Sequence, residues 1–199
     1  NPKPEESIEA MAKEKGVTAA ELAYEILIEN DGNNFIYAPL VNYADHTFGV
    51  CKKMLDDKNA IMGLGDGGAH VGFILDAGYP TWLISYWSVK KKAYSMEETV
   101  RRLTSDTANA AGLNDRGLLK VGLKADINII DWENVGSSDP FMTQDLPAGG
   151  KRLMQHTQGY VTTIVSGKVT YKNGEFTKER PGTVVKSVKD DEKTLEFTN

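Results

Sequence analysis

Ile61-Met62-Gly63-Leu64-Gly65-Asp66-Gly67-Gly68-Ala69-His70-Val71 sets one carboxylate among four glycines at the end of an apolar run, with a histidine four residues later. A buried strand delivers a reactive group to a pocket mouth in this way: the apolar run is covered on both faces, and the glycines let backbone approach closely. Asp66 is therefore the first candidate for chemistry. The glycines follow neither the Gly-x-Gly-x-x-Gly nor the P-loop spacing, so a phosphate cradle is disfavoured.

Upstream of this stretch the chain alternates helix and strand. Glu5 to Lys15 reads as a short amphipathic helix stopped by Gly16. Thr18-Ala19-Ala20-Glu21 is a capping box, with Val17 and Leu22 spaced as a hydrophobic staple, and it opens a helix running to about Glu29. Asn30-Asp31-Gly32 ends that helix. Phe35 to Val41 reads as a buried strand, Asp45 as the N-cap of a helix carrying Phe48, Cys51 and Leu55 on one stripe, and Ala60 to Leu64 as the next strand. Such an alternation predicts a parallel sheet.

Downstream, Tyr79, Pro80, Trp82, Tyr86 and Trp87 fill a connection too long for a simple turn, either a substrate lid or a packed excursion. Ser95-Met96-Glu97-Glu98 opens a helix with Val100, Leu103, Thr107, Ala108 and Ala111 as its stripe, closed by Gly112. From Gly117 the signals are β: a strand at Ala125 to Asp131, then Val161 to Val165 and Lys168 to Tyr171 around a Ser166-Gly167 turn, and a second turn at Asn173-Gly174. Gly136 to His156 carries no assignable pattern. The tail Lys189-Asp190-Asp191-Glu192-Lys193 reads as charged and loosely ordered. The division expected is 1–116 for the βα part and 117–199 for a small β-rich domain.

Composition narrows the function classes. The chain has 199 residues, a net charge of -5, and 23 Lys and Arg against 28 Asp and Glu. The basic residues are outnumbered and scattered, which argues against nucleic acid as a partner; Lys90-Lys91-Lys92 reads as a solvated face. No apolar run reaches the roughly 20 residues of a membrane span. The single cysteine, Cys51, excludes an intrachain disulfide and fits a reducing, cytoplasmic setting, a lone thiol being also compatible with secretion, and its place beside Phe48 and Leu55 favours packing over nucleophilic or ligand chemistry. A start at Asn1-Pro2-Lys3-Pro4, with neither initiator Met nor signal peptide, suggests a chain that begins inside something larger.

Five stretches carry a resemblance. Gly63 to His70, Met96 to Thr104, Gly112-Leu113-Asn114-Asp115-Arg116-Gly117, Gly122-Leu123-Lys124-Ala125-Asp126, and Asn173-Gly174-Glu175-Phe176-Thr177 through Arg180-Pro181-Gly182 resemble, in order, the C-terminal part of the amidohydrolase superfamily. The match is best to the branch of N-acyl-D-amino-acid deacylases, or D-aminoacylases, and extends from Phe35 to Val185. It implies an α/β fold: the C-terminal part of a (β/α)8 metal-dependent hydrolase barrel followed by a small antiparallel β-sandwich unit. It also implies hydrolysis of an amide in an N-acylated amino acid, with Asp66 both beside the metal and acting as general acid/base. Zinc is the metal implied, and its other ligands are expected outside this chain, whose histidines are His46, His70 and His156 with no His-x-His among them. The implied partners are a small-molecule N-acylated substrate and the rest of the barrel or another copy of the chain.

Each candidate has a second reading. Asp66 can serve as a turn or capping residue. His70, Gly67 and Gly68 are candidates for substrate contact, and His70 equally for stabilising the loop. His46 and His156 read as local structure. Arg116 and Arg152 suit either a substrate carboxylate or a structural ion pair, with the pair favoured. Two other functions stand beside D-aminoacylase activity: a cyclic-amide hydrolase resembling hydantoinases and dihydroorotases, and a non-catalytic structural or interaction module.

Overall fold

The computed structural model describes residues 2–39, 41–43, 45–63 and 68–185. It divides into two compact units, one of residues 1–77 with 139–156 and one of residues 78–138 with 157–199. The chain mixes helices with antiparallel sheet.

The first unit begins with a short 3-10 turn, Pro4–Glu6, followed by α1 (Ile8–Lys15). Gly16, at φ 71, caps α1 in the left-handed conformation that its missing Cβ permits. The capping box forms as the sequence predicts: Glu21 N–H donates to Thr18 Oγ1, and Thr18 N–H donates to the Glu21 carboxylate. It opens α2 (Ala19–Gly32), whose backbone leaves the helical region at Glu29. Ala12 and Leu22 are buried where α1 and α2 pack.

Asp45 does not cap the next helix. It accepts from Thr47 N–H and Oγ1, and Thr47 Oγ1 in turn accepts from Gly49 N–H, so α3 starts later and spans Gly49–Asp56. Asp45 closes a side-chain turn instead, which a short carboxylate does readily. Phe48, Cys51 and Leu55 lie half-buried on one stripe of that helix.

The expected strands Phe35 to Val41 and Ala60 to Leu64 are not strands in their described residues, 35–39, 41 and 60–63. A strand exists only where a neighbour completes its ladder. The strands described in this unit are β3 (Phe141–Leu146) and β4 (Gly150–Met154), which pair with each other as an antiparallel hairpin.

The second unit opens with α4 (Tyr79–Trp82), which runs directly into a π-helix, Leu83–Lys90. Leu83, Ile84, Trp87 and Tyr94 are buried, so the aromatic connection is a packed excursion and not a lid. Trp82 stacks on Tyr86 at 4.9 Å, and Tyr94 carries the Arg102 guanidinium over its ring at 4.4 Å.

Ser95 caps α5 (Met96–Leu103) by accepting from Glu98 N–H, while Glu98 itself pairs with Arg102. Thr104, at φ -124 and ψ -86, breaks the expected single helix, and α6 (Ser105–Ala110) follows. The buried face carries Thr99 and Ala108, whereas Val100 is exposed.

A four-stranded antiparallel sheet holds β1 (Ile127–Ile130), β6 (Tyr160–Val165), β7 (Lys168–Lys172) and β8 (Glu175–Phe176), in the order β1-β6-β7-β8. Ser166 and Gly167 turn at φ 49 and 77, and Asn173 and Gly174 at φ 51 and 83, the positive pairs that two-residue hairpin turns require. A separate pair, β2 (Gly136–Ser137) with β5 (Thr157–Gln158), lies between β1 and β6 in the chain.

Candidate functional site

Asp66 and Gly67 lie outside the described residues, as do Leu64 and Gly65. On the downstream side, Gly68 takes φ 102 and His70 takes φ 47. The His70 carbonyl accepts from Phe73 N–H at 2.9 Å and from Ile74 N–H at 3.0 Å, folding residues 70–74 into a compact turn. The His70 ring is exposed and rests against Phe73, 5.1 Å between centroids. The His70 ring thus lies at the surface of this turn, against Phe73.

Val71, next in the chain, ties this turn to β4: Leu153 N–H donates to Val71 O at 2.7 Å. The hairpin that makes this bond comes from the stretch whose sequence shows no clear pattern. In hindsight its signal is Pro147-Ala148-Gly149 between two apolar-polar runs, with Ala148 and Gly149 at φ 57 and 72.

The arginines are held in ion pairs. Arg152 donates through Nε and Nη2 to Asp145 at 2.7 and 2.6 Å. Arg116 forks onto Asp115 and reaches Asp126 at 3.5 Å, where Lys124 also arrives at 3.0 Å. Hydrogen bonds from Arg116 and Arg152 hold Asp115 and Asp145 below the usual carboxylate range. Burial pushes Asp126 upward, but Ser166 N–H, Lys124 and Arg116 outweigh it and leave Asp126 lowered.

The remaining candidates serve local structure. Cys51 Sγ donates to Asn42 O at 3.6 Å, and burial pushes its thiol up, away from thiolate chemistry. His46 meets Tyr43 edge-on, and His156 lies against Phe141 at 4.7 Å. Among the described residues no three His, Cys, Asp or Glu side chains come together as a metal site needs, so these residues do not fit a metal centre. A solvent-open hollow of about 410 Å³ at the β7–β8 turn is lined by Lys172, Asn173, Glu175, Phe176 and Thr177, none of them a candidate residue. Among the described residues no helix is long and apolar enough to cross a membrane.

The model of the amidohydrolase family matches residues 4–171. Over 89 residues the chain is 33% identical to a dihydroorotase of Lactobacillus acidophilus (strain ATCC 700396 / NCK56 / N2 / NCFM), an alignment covering 43% of this chain and 20% of that protein. The chain thus spans about a fifth of that relative's length. No solved structure gives a significant match.

Proposed function

From the premise that the chain belongs to the amidohydrolase family, we propose that it is the part of a C–N hydrolase that supplies the general acid/base, Asp66. The observation that carries this reading is the family match across residues 4–171, which spans the glycine-set carboxylate. In the proposed reaction the Asp66 carboxylate takes a proton as water adds to the amide carbonyl. It then returns that proton to the departing nitrogen, so the C–N bond breaks with the amine neutral and the carboxylate restored.

The substrate proposed first is an N-acyl-D-amino acid. His70, Gly67 and Gly68 would line its site, the imidazole contacting substrate and the glycine backbone letting it approach closely. A cyclic amide is the second reading, favoured by the similarity to a dihydroorotase.

The architecture proposed is the end of a (β/α)8 barrel, within residues 1–116, followed by a β-sandwich domain, residues 117–199. Tyr24, Leu27 and Ile28 of α2 are exposed, which supports further polypeptide covering them, either the rest of the barrel or another copy of the chain. Zinc is the metal proposed for the whole protein, with Asp66 at its site and the remaining ligands from outside this sequence. A cytoplasmic location is proposed with it.

The test is turnover by the whole zinc-loaded protein on a panel of N-acyl-D-amino acids, hydantoins and dihydropyrimidines. Hydrolysis of at least one class, lost in Asp66→Asn, is the expected result. No turnover on any of them, or turnover unchanged in Asp66→Asn, sinks the proposal and leaves a non-catalytic module as the reading.

A further inference from the structure

We propose that Asn173-Gly174, at the β7–β8 turn, is a self-modification site: the asparagine closes onto its own backbone, and the resulting product releases β8. The inference goes beyond the reaction at Asp66 and does not depend on it. Asn-Gly occurs once in the chain. Both residues are exposed, and they turn at φ 51 and 83. Neither the Asn173 side-chain amide nor the Gly174 N–H has a hydrogen-bond partner among the described residues, and a Cβ built on Gly174 meets nothing within 4 Å. Electrophile and nucleophile are thus adjacent, unprotected and uncrowded.

Other asparagines lack this combination. Asn59 is exposed too, but Ala60 follows it with a Cβ, and the Ala60 N–H is held by Asp57 O at 3.0 Å. Asn33 and Asn34 donate through Nδ2 to Asn30 O and Ile26 O at 2.9 and 3.1 Å.

The reaction balances with water alone. Solvent base removes the Gly174 N–H proton, and the nitrogen attacks Asn173 Cγ. The new C–N bond closes a succinimide ring, while the Cγ–Nδ2 bond breaks and ammonia leaves with a proton from water. Water then opens the ring at either carbonyl, giving aspartate or isoaspartate. Attack requires the turn to open, and little holds it: β8 is two residues long, paired as Tyr171 with Phe176 and Lys172 with Glu175 at the edge of the sheet. Such ends open at low cost. A two-residue hairpin turn fits one backbone length. Isoaspartate routes the chain through the former side chain and adds a methylene, so the match is lost.

Incubating the whole protein in mildly alkaline heavy-oxygen water, followed by peptide mass spectrometry, tests this. The peptide containing Asn173 should gain one labelled oxygen, and become a substrate for an isoaspartyl methyltransferase, at least about tenfold faster than the peptide containing Asn59. Denaturation in urea should speed the Asn173 reaction by no more than about tenfold, because the folded turn opens readily. In Gly174→Ala the rate should fall at least about tenfold. Thr177 N–H donates to Thr170 O at 2.9 Å and reports on β8. In the modified fraction, separated by its added charge, exchange at that amide should be at least about tenfold faster than in the parent.

A rate at Asn173 no greater than that at Asn59, acceleration by urea of about 100-fold or more, or an unchanged rate in Gly174→Ala overturns the self-modification. Equal exchange at Thr177 in the two fractions overturns the release of β8.

Discussion

Gly159 is tightly enclosed by backbone, and the cost of Gly159→Ala can be worked from its surroundings. Asp131 N–H donates to Gly159 O at 2.7 Å, which draws the two backbones together where β1 ends. A Cβ on Gly159 would sit 2.6 Å from Val135 Cα, 2.9 Å from Val135 N and 3.1 Å from Asp131 O. All three atoms are backbone and none can swing aside.

At φ 86 the new alanine also carries a left-handed penalty of about 1–2 kcal/mol. Displacing the packed backbone adds about 1–3 kcal/mol, for a total of about 2–5 kcal/mol. Gly167→Ala is the control, since Gly167 takes φ 77 with nothing within 4 Å of a Cβ. It should lose only the conformational part, about 1–2 kcal/mol. Urea unfolding followed by circular dichroism measures both variants. At a slope of about 2 kcal/mol per molar urea, Gly159→Ala should unfold roughly 0.5–1.5 M earlier than Gly167→Ala. Coincident midpoints would show that Val135 yields freely and refute the reasoning.

Leu83 is 0% exposed, so Leu83→Ala should cost about 2–5 kcal/mol of stability by urea unfolding. Thr18→Ala should lose about 1 kcal/mol, seen as faster amide exchange at the start of α2, while Thr18→Ser keeps the cap. Asp115, Asp126 and Asp145 are all held below the ordinary carboxylate range. The charged form is thus favoured by folding: its stability is complete above the unfolded value, about pH 4, and is lost as pH falls through the lowered folded values. Urea midpoints between about pH 5 and pH 2 should therefore fall, and fall less steeply in Asp126→Asn.

Short-range features were legible in the residues because their causes are short-range. The Thr18–Glu21 box, the Gly16 stop, and the Ser166-Gly167 and Asn173-Gly174 turns each depend on a few neighbouring atoms, and each forms where the sequence puts it. Asp45 shows the limit: an aspartate before a helix and an aspartate closing a turn look alike until Thr47 competes for the carboxylate. The apolar runs from Phe35 and from Ala60 state a preference for burial, but a parallel strand also needs partners that no local pattern supplies. Val100 is exposed while the adjacent Thr99 is buried, so the buried face of α5 lies one position away from the stripe read in the sequence. At the candidate site the residues read as a glycine-rich loop with His70 and Gly68 as candidate substrate contacts, but the bond to Leu153 crosses 82 positions of sequence, and nothing around Val71 announces it.

The pairing of β2 with β5 has a consequence for how this chain can change. Ser137 stands opposite Thr157, so everything between them leaves and re-enters at neighbouring points. Lengthening a closed excursion costs only about 0.6 kcal/mol per doubling, and the register of β1 on β6 is set by other residues. The stretch between Ser137 and Thr157 can thus change length at little cost to closure. Insertions and deletions there should leave the register of β1 on β6 unchanged.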